Sequence, residues 1–255
     1  MLAVVDVGNT NTVVGIYKDR TLIGQWRLTT VVHRTSDEYS ILFEGLLRLK
    51  GIAPKDITEA IISCVVPPIL PFLEELFRKS YHITPLVVGP GIKTGISILI
   101  ENPKEVGADR IVNAVAAFEM FNQQCIIIDF GTATTFDIVS AKAEYLGGLI
   151  FPGITISAEA LFLRTAKLPS IEIIRPASII GKNTIHSIQS GIYYGYCELV
   201  DGLITRIRSS LPGTTRVVAT GGYADLLGQD AKSIDDIVPL LTLEGLRLIF
   251  EKNRT

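Results

Sequence analysis

One short pattern occurs twice in this chain, 123 positions apart: Asp6-Val7-Gly8-Asn9-Thr10-Asn11-Thr12 and Asp129-Phe130-Gly131-Thr132-Ala133-Thr134-Thr135. Each copy follows an apolar run, Leu2 to Val5 in one case and Cys125 to Ile128 in the other. The arrangement predicts a buried strand, a turn and a second strand. The acidic residue ends the strand, the glycine lets backbone approach a ligand, and the hydroxyl side chains stand beside open N–H groups. Such a turn offers donors to anionic phosphate oxygens, while its carboxylate can hold a cation or that cation's waters. A single Asp-x-Gly is ordinary turn chemistry. The matched pair implies more, namely a duplicated fold whose two related lobes grip one nucleotide in a cleft between them.

The rest of the chain reads as the same unit written twice. Leu2 to Val7, Thr12 to Tyr17 and Leu22 to Leu28 alternate as an antiparallel meander. Thr35 and Glu38 then form a capping box for a helix that Gly51 ends. Glu59 to Val66 reads as a strand, Pro67-Pro68 opens a helix to about Lys79, and Pro85 to Val88 is a short buried strand. Gly89 to Ile100 shows no period and reads as an exposed or ligand-facing connection. Asn102 and Pro103 signal the start of a helix that bridges the halves. A second meander follows at Cys125 to Asp129, Thr134 to Ser140 and Glu144 to Ile150. After it come a helix from Pro152-Gly153, a long helix from about Thr184 to Ser209, a strand at Arg216 to Ala219, a helix after Gly222 and a terminal helix, Leu241 to Lys252. The expectation is an α/β protein with mixed sheets, divided into domains 1–116 and 117–255.

Composition narrows the function classes. The chain is 47% apolar and 20% charged, with a mean hydropathy of +0.38, which suits buried strands together with a subunit interface. A net charge of −2 provides no basic field for nucleic acid or an anionic membrane surface. Cys64, Cys125 and Cys197 are odd in number and sit among apolar neighbours, as reduced core thiols do. The three histidines, His33, His82 and His186, make no zinc-binding cluster. No basic leader precedes the first strand and no apolar run reaches the roughly 18 residues of a membrane span, so a cytoplasmic location is expected.

The chemistry must come from less common motifs, because neither a Walker A sequence nor GxGxxG nor GxSxG is present. Asp109, in Gly107-Ala108-Asp109-Arg110, can accept a proton from a substrate hydroxyl, with Arg110 pairing a substrate carboxylate. An acidic residue that simply complements a helix dipole explains the same pattern. Gly147 to Gly153 joins strand to helix through three glycines, and Thr220-Gly221-Gly222 follows a strand; either can admit a nucleotide or merely allow close packing. Asp129 mirrors Asp6 and suits a hard cation, whereas Asp137 lies within a strand and reads as structural. Thr184 and Ser187 share a helix face that serves equally as solvated surface or substrate contact.

Taken in order, Asp-x-Gly-Asn-Thr, Gly-Ala-Asp-Arg, Asp-Phe-Gly-Thr-Ala-Thr-Thr, Gly-Gly-x-Ile-x-Pro-Gly, Thr-Gly-Gly and the terminal Leu-Thr-Leu-Glu-Gly-Leu resemble type III pantothenate kinase from Asp6 to Leu246. The resemblance implies the duplicated, ribonuclease H-like fold of the actin-like ATPase superfamily and a homodimer. It implies phosphorylation of pantothenate by ATP with magnesium and a monovalent cation, potassium or ammonium. By the same resemblance Asp6, Val7, Gly8, Asn9, Thr10, Asn11, Thr12, Val13 and Thr132 bind ATP. Asp6 also meets magnesium, and Asp129 binds potassium. Asp109 is the proton acceptor, and Gly107, Ala108, Asp109, Arg110 and Thr184 contact pantothenate, together with Ile100 where the family usually has tyrosine. Two other classes share parts of the pattern: a non-enzymatic nucleotide-binding regulator of the same family, and an actin-like kinase for another small molecule.

Overall fold

The strand at Leu2–Val7 (β1) has one half-buried residue, Asp6, among buried neighbours, and so does Cys125–Phe130 (β7), where it is Asp129. Strands this apolar need cover on both faces, which places them at the centres of their sheets. In the computed structural model, which describes residues 1–254, each is such a centre.

The first sheet has the order β3-β2-β1-β4-β5, from Thr21–Thr29, Asn11–Lys18, β1, Glu59–Cys64 and Leu86–Val87. The second runs β11-β10-β7-β8-β9-β6, from Asp236–Ile237, Arg216–Gly221, β7, Ala133–Val139, Glu144–Pro152 and Ser97–Ile98. Apart from β6, the two orders match once read in opposite directions. In each, three antiparallel strands are followed by two parallel additions. The duplication extends to an irregularity: the meander register shifts between Ile16 and Tyr17 in the first sheet and between Ile138 and Val139 in the second.

One compact unit comprises residues 1–96, 101–116 and the chain from Leu241 on; the other comprises 97–100 and 117–240. In the first, helices α1 (Ser36–Leu49) and α2 (Leu70–Ser80) supply Phe43, Leu47, Leu73 and Phe77 to a core with Val5, Ile16 and Ile62. The predicted capping box is present: the Thr35 hydroxyl accepts from the Glu38 amide, and the Glu38 carboxylate accepts from the Thr35 amide. On the other side, α7 (Leu241–Asn253) packs on β1, β2 and β4. In the second unit α4 (Ile154–Arg164), α5 (Thr184–Ser210) and the short α6 (Ala224–Leu227) bury Tyr193, Tyr196, Val200 and Leu227 against Ile126, Ile128 and Val217.

Several sequence expectations shift. The bridging helix α3 (Ala108–Phe121) starts later than Asn102-Pro103 suggested. Those two residues cap a separate short turn, Pro103–Glu105, after which extended Val106 breaks the run. The connection Gly89 to Ile100 contains β6, paired in parallel with β9. The terminal helix, expected with the second domain, belongs to the first unit, and 97–100 belong to the second, so both fall across the expected 116/117 division. The three cysteines are free, and burial pushes the Cys125 and Cys197 thiols up to about 12 and about 11. No helix among the described residues is long and apolar enough to cross a membrane.

Candidate active site

In an open α/β sheet, ligands bind beyond the carboxyl ends of the parallel strands. At that end of the first unit, β1 runs into the turn Gly8 to Thr10. Val7 pairs with Thr12, and the Gly8 amide donates to the Asn11 carbonyl at 3.0 Å. Asn9 and Thr10 are exposed, Gly8 and Asn11 half-buried. Asp6 lies opposite Val13 on β2 and beside Ser63 on β4, so the three side chains share one face of the sheet. Thr12 is buried, with its hydroxyl 3.0 Å from that of Thr30.

The Gly-Ala-Asp-Arg motif arrives at the same strand ends. The Val65 amide donates to the Val7 carbonyl at 3.0 Å, and a Cβ placed on Gly107 would lie 3.7 Å from a Val65 methyl. The same Cβ would lie only 2.6 Å from Asp109 Oδ1. A side chain on Gly107 would have to displace the Asp109 carboxylate, which folds back over it and accepts the Arg110 amide at 2.8 Å. That amide belongs to the first turn of α3, where a negative charge is favoured. Burial nevertheless pushes the Asp109 carboxyl above its usual range, against the opposing pull of the Arg110 amide and guanidinium. A half-buried carboxyl group with a raised pKa is suited to take a proton from an alcohol.

The start of α3 is held from behind by the terminal helix. Gly245 lies so close to the Val112 carbonyl that a Cβ would overlap it, and Thr242 Oγ1 donates to Asn113 Oδ1 at 2.8 Å. The terminal Leu-Thr-Leu-Glu-Gly-Leu motif thus docks on the helix that carries Asp109.

In the second unit the three glycine-bearing segments noted in the sequence converge on one turn. Phe130 pairs with Thr134, and the Gly131 amide donates to the Ala133 carbonyl at 3.1 Å, leaving Thr132 exposed. The Gly153 amide donates to the Thr132 carbonyl at 3.1 Å, with no room for a side chain on Gly153. On the other flank, Gly222 donates to the Phe130 carbonyl at 3.1 Å. A Cβ on Gly221 would lie 2.5 Å from Asp129 Oδ1 and 2.6 Å from the Phe130 nitrogen. Asp129 therefore sits over bare backbone. Asp137, read as structural, is fully buried and accepts the Tyr145 hydroxyl at 2.6 Å and the Thr135 hydroxyl at 3.1 Å.

Thr184 is exposed at the first position of α5, on the rim of a surface hollow with Leu161, Leu168, Ser187 and Ile188. Ile100 lies beside Gly147, 3.7 Å from where a Cβ would be.

Two nearby residues carried no sequence signal of their own. Thr30 binds the first turn through both its amide and its hydroxyl. Ser63 is fully buried beside Asp6, and its hydroxyl has no hydrogen-bond partner among the described residues. A lone serine in the apolar run of β4 was the only hint, and its meaning depends on strand register. An unsatisfied buried hydroxyl next to a carboxylate is a fitting surrounding for a hydrated cation.

Comparison with known proteins bears on the fold and on the family. The fold matches the solved structures of MreB 5 of Spiroplasma citri bound to AMPPNP, with a TM-score of 0.55, 13% identity and coverage of 99% of this chain and 96% of that one. It also matches the ethanolamine utilization protein EutJ from Carboxydothermus hydrogenoformans, with a TM-score of 0.56, 13% identity and coverage of 97% and 89%. The fold is accordingly the duplicated, actin-like one. Type III pantothenate kinases are much closer in sequence. That of Geobacter sulfurreducens is 54% identical over 254 residues, covering 100% of both chains. That of Syntrophobacter fumaroxidans is 52% identical over 255 residues, covering 100% of this chain and 99% of the other. The type III pantothenate kinase family model matches residues 2–206, and the chain belongs to that family.

Proposed function

We infer that this protein transfers the γ-phosphoryl group of ATP to the primary hydroxyl of pantothenate, giving 4′-phosphopantothenate and ADP in the first step of coenzyme A biosynthesis. The observation that carries the reading is the placement of Asp109. Its carboxylate is folded over Gly107 at the strand ends from which the Gly8 turn emerges, and burial has raised its pKa.

In this reading the pantothenate hydroxyl gives its proton to Asp109 while its oxygen bonds to the γ-phosphorus and the bond from phosphorus to the bridging β–γ oxygen breaks. Arg110 pairs with the pantothenate carboxylate, and Gly107, Ala108, Ile100 and Thr184 complete the contacts to that substrate. Residues Asp6 to Val13 and Thr132 hold the ATP phosphates. Catalysis rests chiefly on alignment and on neutralising charge. Asp6, with Ser63 beside it, would hold magnesium, and Asp129 would hold potassium or ammonium; such cations offset phosphate charge that no P-loop lysine meets here. The exposed Ile150, Leu163, Ile179 and Ile180 in the second unit, each at least 67% accessible, support a homodimer. With no basic field on the chain, neither nucleic acid nor a membrane surface is a partner, and the enzyme works in the cytoplasm.

A coupled assay of ADP release tests this with pantothenate, sugars and acetate as acceptors, each with and without potassium. Pantothenate with potassium is expected to give turnover well above every other combination. Release that is indifferent to pantothenate, or specific for a sugar or acetate, overturns the assignment.

A further inference from the structure

We propose that Thr30 is a positioning residue for phosphate binding: it orients the peptide groups of the β1–β2 turn so that the amides of Asn9 and Asn11 point toward the ATP phosphates. The proposal rests on the assignment of that turn to ATP and adds a residue that no family motif above includes.

Thr30 directly follows β3. Its amide donates to the Thr10 carbonyl at 2.9 Å and its hydroxyl donates to the Gly8 carbonyl at 2.7 Å. With that hydrogen committed, the contact to Thr12 Oγ1 at 3.0 Å has Thr12 as donor. A trans peptide is planar, with its carbonyl oxygen and the following N–H directed oppositely. Drawing the carbonyls of Gly8 and Thr10 toward Thr30 therefore turns the amides of Asn9 and Asn11 away from it. Paired amides aimed one way form an anion-binding concavity.

The second unit supplies a built-in control. There Gly153 follows the same path, donating its amide to the Thr132 carbonyl and bringing no hydroxyl. Its turn is also shorter by one residue, since Phe130 pairs with Thr134 whereas Val7 pairs with Thr12. The longer turn has one further peptide to orient, and the Thr30 hydroxyl is what orients it.

The test compares wild-type protein with Thr30→Val, which keeps the branched shape without the hydroxyl, and Thr30→Ser, which keeps the hydroxyl. Mg-ATP affinity is measured by calorimetry, and kcat and KM for pantothenate by coupled assay. Thr30→Val is expected to weaken Mg-ATP by about tenfold, the scale of one lost hydrogen bond that leaves a carbonyl unpaired. KM for pantothenate should stay within about twofold, and Thr30→Ser should recover Mg-ATP affinity to within about threefold. Should the valine variant fail to fold, Thr30→Ala removes the same hydroxyl and is read in the same way. A merely structural role would lower kcat through loss of active protein and leave affinity unchanged. The proposal is overturned if Thr30→Val binds Mg-ATP within twofold of wild type, or if the serine variant is weakened as much as the valine. Wild-type protein that binds Mg-ATP but does not phosphorylate pantothenate would sink the acceptor assignment and leave the Thr30 comparison intact. Wild-type protein that binds no Mg-ATP would overturn both.

Discussion

Thr30 and Gly153 are separated by the same 123 positions as Asp6 and Asp129, and each directly follows the third strand of its meander. One brings a hydroxyl to its turn; the other brings bare backbone that touches the turn directly. The base of the turns is alike in one respect and different in another. Beside Asp6 stands the buried Ser63 and beside Asp129 the buried Thr220, but the next residue of the second unit is Gly221, where an added side chain would meet the Phe130 backbone. Duplication has kept the strands, their order and their register shift, while the groups around the two turns have diverged. A shared frame thus carries side-chain hydroxyl contacts at the first turn and close backbone approach around a carboxylate at the second, and the proposed function adds an acid–base group to the first unit alone.

The largest expected effect tests that division where the repeats differ most. In chain order α7 is to the second repeat what α3 is to the first, yet the second helical residue of α7 is Thr242, where α3 has Asp109. Only the first repeat supplies a carboxylate there. Asp109→Asn should lower kcat by about 10²- to 10⁴-fold, the usual contribution of a positioned base, with Mg-ATP affinity kept because the phosphate turn is untouched. Rapid-quench measurement of phosphopantothenate formation checks this. Turnover within tenfold of wild type would remove proton acceptance from Asp109 and with it the asymmetry.

A smaller effect separates the turns by space. Gly221 has φ +93°, and an added Cβ would press on the Asp129 carboxylate, which can swing aside, and on the Phe130 backbone, which cannot yield cheaply. Gly8 has an added Cβ position 3.1 Å from the Asn11 carbonyl, tight but at an ordinary φ. Gly221→Ala should therefore cost about 3 kcal/mol of stability, from the left-handed backbone plus overpacking, and Gly8→Ala about 1 kcal/mol. For a chain of this size the difference is roughly 5 °C in Tm, readable by calorimetry. Equal losses would mean that the two turns are equally crowded.

The contrast also explains what was legible beforehand. The paired Asp-x-Gly turns, both meanders and the capping box were readable because their signals are local: period-two burial, turn residues and a four-residue cap. The two-residue strands β6 and β11 carry too few positions to show a period, so one was read as connection and the other went unread. Asn102-Pro103 has the grammar of a helix start, but extended Val106 separates it from α3. Asp109 and Gly107 stood out by type; their mutual fit did not, because it depends on how a carboxylate folds over a neighbour two residues away. Thr30 and Ser63 are the clearest omissions. Each is an ordinary residue in its own segment and acquires meaning from strands pairing across 18 or more positions, Thr30 with the turn and Ser63 with Asp6.

The smallest expected effect concerns pH, and it separates Asp109 from a carboxylate that merely stabilises a helix. Burial raises its pKa in the folded protein above the value in the unfolded chain, so folding disfavours the ionised form. A base must be ionised to act. The acid limb of kcat/KM should consequently lie above the usual aspartate value of about 4, with activity falling as pH drops through the raised value. The linked effect on stability has the opposite sense. Below the unfolded pKa both states are neutral and the group costs nothing; as pH rises through the folded pKa the cost appears and then persists. Asp109→Asn keeps an oxygen to accept the Arg110 amide and removes the charge, so at neutral pH its Tm should equal or exceed that of wild type, with the difference vanishing toward pH 3. A variant that instead melts lower at pH 7 would show that the charge on Asp109 supports the start of α3, leaving this helix with a dipole cap where a catalytic base is now inferred.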